Sequence, residues 1–331
     1  MMFDLKIPMA VFRFSMAHRA AFAAVAISLS LLGGAKGAAA GTITPVTLGT
    51  ASTYGVLIGT GETLTLNGGF NLSGNIGVGA SDTVNLSGNN AISGTAYEDS
   101  DVNYNASGNT SVSGGVVTQS MTSVLSAAAS ASTAAKNDTT GSILSGYGSS
   151  ISVTSAATSV AIKALSSGEN ILNISALSLS NGTLTFDDNG HSGAKFIINI
   201  TGNLTASGAN ALTIKGINGA TGADILFNVT GAGSSVSLTG NNATYIGTIL
   251  APAANVTIGG NGTLTGNILA GFNNAGKSYT VGEQSSGFNI TSLGYKPSTV
   301  TKTPEPSTIA LFGFGVVGLA IARRRWGSAR A

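Results

Sequence analysis

Cysteine is absent from the 331 residues, and proline occurs only 6 times. The lack of Cys excludes a disulfide scaffold, a thiolate nucleophile, a Cys zinc site and a lipoprotein-type anchor. Charge is also low, at 8% of residues. Histidine occurs twice, and one of the two, His18, lies in a leader-like segment, which leaves His191 for the body. Most hydrolytic and metal chemistry uses His as base or ligand, so a catalytic reading starts from little material. The formal net charge of +2 is a sum of unlike parts. Between Gly41 and Thr303 stand seven Lys and no Arg against eleven acids, a net charge of −4, while the basic residues cluster at the two ends. A mildly acidic body has no basic face for nucleic acid.

Glycine is what the chain has in excess, 47 residues, without a three-residue period and without the proline of collagen. With 43% apolar residues the chain has material for a core. That combination points to β structure dense in turns. From about Pro45 to Tyr295 short β-branched or Leu-containing runs alternate with Gly, Asn and Ser, as in Glu62–Asn67, Phe196–Ile200, Ile225–Val229 and Asn255–Ile258. Runs of this length between Gly/Asn turns read as strands. A small motif recurs at Leu72-Ser-Gly-Asn75, Leu86-Ser-Gly-Asn89, Ala106-Ser-Gly-Asn109, Leu238-Thr-Gly-Asn241, Ile258-Gly-Gly-Asn261 and Leu264-Thr-Gly-Asn267, at uneven gaps. Apolar runs starting at Phe196, Ile225, Ile246 and Asn267 are 29, 21 and 21 apart. A spacing of about 20 residues suits one coil of a parallel β-solenoid, with a β-sandwich as the alternative. One segment, Val116–Lys136, lacks Gly and Pro and is rich in Ala. Val117, Met121, Val124, Leu125 and Ala128 fall at helical spacing there, which predicts a helix over about 116–136 lying along the solenoid.

The ends have their own logic. Lys6, Arg13 and Arg19 precede the apolar run Ala20–Leu32, and small residues follow, with Ala38 and Ala40 in an A-x-A arrangement. This order predicts a signal peptide over residues 1–40, because thirteen apolar residues fall short of the roughly 20 that span a bilayer. At the other end, a linker over 297–307 carries Pro304-Glu305-Pro306, an uncharged stretch runs from Thr308 to Ala322, and Arg323, Arg324 and Arg325 follow. The prolines stop a helix from extending backward, and the arginines favour the cytoplasmic side. The arrangement predicts a C-terminal hydrophobic helix within 308–331, anchored in the inner membrane, with the body outside.

This tail resembles the PEP-CTERM sorting signal of Gram-negative bacteria in all three of its parts. The resemblance implies recognition at Pro304, Glu305 and Pro306 by an exosortase, a membrane-embedded processing enzyme, with Arg323–Arg325 as the basic stop. The body, with SGN-type repeats, an Ala-rich helix and then Gly247–Pro252 and Gly266–Gly271, is similar to choice-of-anchor A and ice-binding-like adhesin domains. That similarity implies a right-handed β-solenoid with an adjoining helix over residues 41–296.

Candidate chemistry is sparse. Glu98-Asp99-Ser100-Asp101 and Asp187-Asp188-Asn189-Gly190-His191 are the dense acidic stretches. Neither has EF-hand spacing, and the expectation is a solvated acidic turn and not a calcium site. Neighbouring Asp187 and Asp188 would point to opposite faces of a strand, which argues against a glycosidase pair. Thr63/Thr65, Thr183/Thr185 and Thr263/Thr265 are Thr-x-Thr pairs, each able to share one strand face, and together they are the candidate binding face. No catalytic, cofactor or metal residue stands out. The reading is a non-catalytic exported surface or matrix protein, with an ice-binding or polysaccharide-binding adhesin module as the alternative. Its partners would be the exosortase, the inner membrane and exopolysaccharide or ice, and not nucleic acid.

Overall fold

The computed structural model describes residues 45–299, apart from 209–211, 274–277 and 284–286. The signal segment, the Pro304–Pro306 motif and the C-terminal apolar stretch lie outside the described residues. The fold is mainly β: among the described residues, three parallel sheets of ten, nine and nine strands, with one α-helix, form a β-solenoid.

The first coil shows how sequence makes each side. Strand β1 (Tyr54–Ile58) is buried at every position, whereas β2 (Thr63–Leu66) alternates half-buried Thr with buried Leu. Strand β3 (Asn71–Ser73) places Leu72 inside between two exposed polar residues. A strand covered on both faces reads as a continuous apolar run, and a strand with one wet face reads as an alternation. The all-buried runs Lys195–Ile200 and Ile225–Val229 therefore belong to the sheet of β1, while Ser235–Leu238 belongs with β2. Inside the coils Val56, Leu64, Phe70, Phe196, Ile198 and Phe227 share one apolar core.

The coils are not stacked in chain order. Residues 54–112 form three coils, and residues 142–291 form six more. The last coil pairs with the first: Ile268 with Val56, Tyr279 with Leu64, and Ile290 with Leu72. The chain thus begins in the middle of the stack, builds to one end, and resumes at the other. Close approach at this seam requires glycine, since a Cβ on Gly59 would lie 1.8 Å from the Gly271 carbonyl oxygen.

Helix α1 (Thr122–Asn137) makes the return. At 1.5 Å per residue it runs about 24 Å along the sheet of β1. Val124, Leu125, Ala128, Ala131 and Ala135 bury against an outward row that includes Leu57, Ile171, Ile197, Leu226, Leu250 and Leu269. The helix starts six residues later than the sequence predicts. Val116–Thr118 instead pairs with Ala96–Glu98 as a strand, and Val117 is 41% exposed there. Three residues rich in β-branching gain a ladder of backbone hydrogen bonds, which outweighs their modest helix propensity. The repeat also needs correction. Leu86 and Ala106 are true register partners, but Leu72 lies in the sheet of β3 and Leu86 in that of β2, so the gap from Leu72 to Leu86 joins two different sides. The period is 20 in the first three coils, as in Thr63, Thr83 and Asn103. It is half as long again from Thr183 to Thr213 and from Thr213 to Thr244.

Asparagines hold helix and sheet together. Asn228, 0% exposed, donates to the Ser132 carbonyl at 3.0 Å and to Asn199 Oδ1 at 2.9 Å, and accepts from the Ser132 hydroxyl at 2.6 Å. Asn199 in turn donates to the Ala135 carbonyl and to Asn173 Oδ1. Asn228→Ala is expected to destabilise the protein by about 1–3 kcal/mol, because buried partners on helix and sheet lose their hydrogen bonds. Urea unfolding followed by circular dichroism measures it, and an unchanged midpoint would show that the ladder contributes nothing.

Candidate functional site

With the sheet of β1 covered, two sides of the solenoid face outward. The sheet of β2 presents two parallel rows. One row includes Ser235, Asn255, Ser278, Thr63, Thr83 and Asn103, and the other Ser237, Thr257, Thr280, Thr65, Asn85 and Asn105. All are half-buried or exposed, and none is charged. Rungs of a parallel ladder repeat at about 4.8 Å, and side chains two residues apart on a strand stand about 7 Å apart, so the rows form a flat lattice of hydroxyls and amides. Asn105 donates to Asn85 Oδ1 at 3.0 Å, which orients the amides at one end.

The sheet of β3 carries a second polar row, Thr183, Thr213, Thr244, Thr263, Asn289 and Asn71. Its companion row is broken: Lys215 is register partner of Thr185, and Ile246 of Thr265. The six threonines singled out from sequence do not share one face. Thr63 and Thr65 lie on the sheet of β2, Thr183, Thr185, Thr263 and Thr265 on that of β3, and Thr185 is only 6% exposed. Thr-x-Thr spacing shows that two residues share a strand face, but it does not show which of three sheets receives the strand. Ser, Asn and single Thr members of the rows were missed because they have no distinctive spacing.

Of the two acidic stretches, Glu98–Asp101 is a solvated turn with Ser100 and Asp101 exposed, whereas Asp187-Asp188 is not. Asp187 and Asp188 are 8% and 6% exposed. Asp187 Oδ1 accepts from Asn218 Nδ2 at 2.7 Å and from the Asn189 N–H at 2.8 Å, and Asp188 Oδ1 from the Gly190 N–H at 3.2 Å. The Asn218 bond holds the Asp187 carboxyl below its ordinary range. His191 closes this turn through its backbone N–H on the Asp188 carbonyl. In the other stretch, the Ser81 hydroxyl and N–H hold Asp101 low, Asp99 accepts the Met121 N–H, and Glu98 accepts the Tyr104 hydroxyl. These carboxylates accept backbone N–H groups and neighbouring side-chain donors, and among the described residues no group of three or more acids and histidines is placed to hold a metal ion.

Three further acids, Glu62, Asp82 and Glu169, are buried without any signal in the sequence. Asp82, 0% exposed, receives the Glu62 N–H at 2.7 Å and the Gly79 N–H at 3.0 Å, yet burial pushes its carboxyl up to about 7. Glu169, 3% exposed, receives the Val46 N–H at 2.8 Å and is also pushed up to about 7 by burial, with Asp138 adding to the shift. At the 96–118 end an apolar opening of about 360 Å³, lined by Leu66, Val84, Ile92, Val112 and Val116 among others, exposes the solenoid interior.

A parallel solenoid with one helix-covered side and a flat outer side of uncharged, hydroxyl-rich rows on the sheet of β2 defines a surface-binding scaffold and not a cleft. Residues 24–295 match the model of the putative ice-binding-like adhesive domain, and the chain belongs to that family. Residues 302–325 match the PEP-CTERM protein-sorting motif. An adhesive domain followed by a sorting motif makes this an exported surface protein. No curated protein is similar enough to count as a relative. Among solved structures, the chain is similar to an ice binding protein from an Antarctic Biological Consortium, at 20% identity and a TM-score of 0.48, covering 75% of this chain and 91% of that one. It is also similar to an ice-binding protein from Arctic yeast, at 18% identity, a TM-score of 0.45 and coverage of 78% and 98%. A third, the Shewanella frigidimarina ice-binding protein_1 domain, shows 17% identity, a TM-score of 0.47 and coverage of 76% and 97%.

Proposed function

We propose that this is a non-catalytic adhesive protein of the cell surface or extracellular matrix, which meets an extended, uncharged, hydroxylated partner through the two rows on the sheet of β2. The observation that carries this reading is the lattice itself: uncharged Ser, Thr and Asn at every named rung, on both sides of the seam between the two blocks of coils. Each hydroxyl or amide contributes little alone, and a rigid lattice sums them without an ordering cost for each contact. In the matrix the partner is exopolysaccharide. Ice is the second reading, favoured by the central run Thr257, Thr280 and Thr65, three threonines on consecutive rungs.

Export follows the ends of the chain: the leader is removed near Ala40, the stretch 308–322 anchors the body in the inner membrane, and an exosortase acts at Pro304–Pro306. Replacing Thr257, Thr280 and Thr65 together by Lys is expected to lower retention on exopolysaccharide by at least about tenfold, a loss of about 1.4 kcal/mol or more, with the melting temperature unchanged. Co-sedimentation and ice recrystallisation inhibition are measured on the same exported protein. Ice activity lost in the triple variant would move the function to the second reading, and binding to either partner that survives the triple change would remove this face from the function.

A further inference from the structure

Lys195 and Asp224 stand at the same rung of consecutive coils, next to the register pair Phe196 and Ile225. The Lys195 ammonium contacts Asp224 Oδ1, and the two side chains are 10% and 14% exposed. The other carboxylate oxygen, Oδ2, is held by two donors from one residue: the Thr221 backbone N–H at 2.8 Å and the Thr221 hydroxyl at 2.6 Å. This capping box fixes the short 3₁₀ turn Gly222–Asp224, so the carboxylate cannot rotate away from the amine. The segment 294–296 lies beside the pair, with the Lys296 N–H bonded to the Ala223 carbonyl at 2.9 Å. Tyr295 in that segment is 2% exposed, and its hydroxyl feels the negative charges of Glu169, Asp224 and Asp138. Glu169 is the register partner of Lys195 on the preceding coil, about 4.8 Å away along the ladder.

We propose that Lys195 and Asp224 condense to an intramolecular isopeptide bond, a covalent staple between two coils of a protein that has no cysteine. The ion pair already contains every atom the reaction needs. One ammonium proton passes to Asp224 Oδ1, the freed Nζ lone pair attacks Cγ, and negative charge develops on Oδ2. The Thr221 N–H and O–H face that oxygen as a two-donor oxyanion hole. A second proton from nitrogen joins the departing Oδ1, which leaves as water, and the third remains as the amide N–H. An ammonium and a carboxylate become a neutral amide and one water, with no oxidant, cofactor or outside proton. Fixed contact supplies the effective concentration that a bimolecular condensation lacks. Loss of two largely buried charges also removes their desolvation cost, which favours the amide in this site.

Intact-mass measurement of the exported protein, with its two ends fixed by terminal peptide sequencing, tests the staple. A product about 18 Da lighter than the sequence between those ends is expected, the mass of one water. Tandem mass spectrometry of a digest is expected to find the peptides carrying Lys195 and Asp224 joined. Lys195→Arg keeps the charge pair and is expected to restore the full mass. Asp224→Asn is expected to form the same joined peptides with loss of ammonia, about 17 Da. A wild-type mass equal to that of the sequence between its ends would overturn the proposal and leave an ion pair only. Loss of water with the 195 and 224 peptides separate would overturn it equally, by placing the dehydration elsewhere.

Discussion

Phe227→Asp is expected to abolish the folded state. Phe227 is 2% exposed, in register with Ile198 on one neighbouring coil and Ile249 on the other. Its ring meets Phe186 edge-on, with centroids 5.8 Å apart. The substitution removes that packing and leaves a carboxylate with no partner inside the solenoid, a cost of several kcal/mol that approaches the whole stability of a typical domain. Coils contact only their neighbours, so the damage breaks the stack in the middle and separates the blocks on either side. Circular dichroism is expected to lose its β signal, and limited proteolysis to cut throughout the body. Leu165→Asp, at a side chain 57% exposed, is the matched control and is expected to stay within about 0.5 kcal/mol of the parent. A cooperative melt near the parent temperature for Phe227→Asp would show that this run is not core.

Mild acid is expected to stabilise the protein, which is the reverse of ordinary acid denaturation. Asp82 and Glu169 are pushed up by burial to about 7, from 3.8 and 4.5. Their folded forms therefore hold a proton at pH values where the unfolded chain has lost it. The stabilising contribution is complete below the unfolded values and disappears as pH rises through about 7. Each group is worth a few kcal/mol at most over that window, less where solvent screens the carboxylate. Asp101 and Asp187, held low by hydrogen bonds, act in the opposite sense and weaken the fold once pH falls below their unfolded value of 3.8. The melting temperature should thus rise from pH 8 to about pH 5 and fall again below about pH 4. Asp82→Asn removes the titration and keeps an acceptor for one of the two N–H groups, which bond to different carboxylate oxygens, at the cost of the other bond. A flatter profile between pH 5 and 8 is expected for this variant, and a profile identical to the parent would assign the effect elsewhere.

Both expectations rest on burial that local sequence shows unevenly. Phe196–Ile200 and Ile225–Val229 are legible because strands covered on both faces become uninterrupted apolar runs. Asp82 and Glu169 are illegible, since an acid in a polar turn looks the same whether water or another coil lies above it. Asp187 and Asp188 mislead for the same reason: the Asn218 amide that receives one of them comes from the turn of the next coil, 31 residues later.

The sequence by itself determined the signals that depend only on neighbours along the chain. These are the strand and turn texture, an Ala-rich helix that buries Val124, Leu125 and Ala128, and the Pro304–Pro306 motif that makes the tail a sorting signal. Only the tertiary structure decided which side chains become neighbours in space. The helix carries the chain back across the stack, so the final coil 268–291 closes onto the first coil 54–73. Thr65 thereby stands beside Thr280 and Thr257, and apart from Thr183 and Thr263, with which it shares a sequence pattern. Parallel strands bond through backbone groups that every residue carries, so no local pattern marks a pairing as distant along the chain as that of Val56 with Ile268. Register across the seam follows from which apolar side chains fill the interior together, and that is settled only when the whole stack has closed.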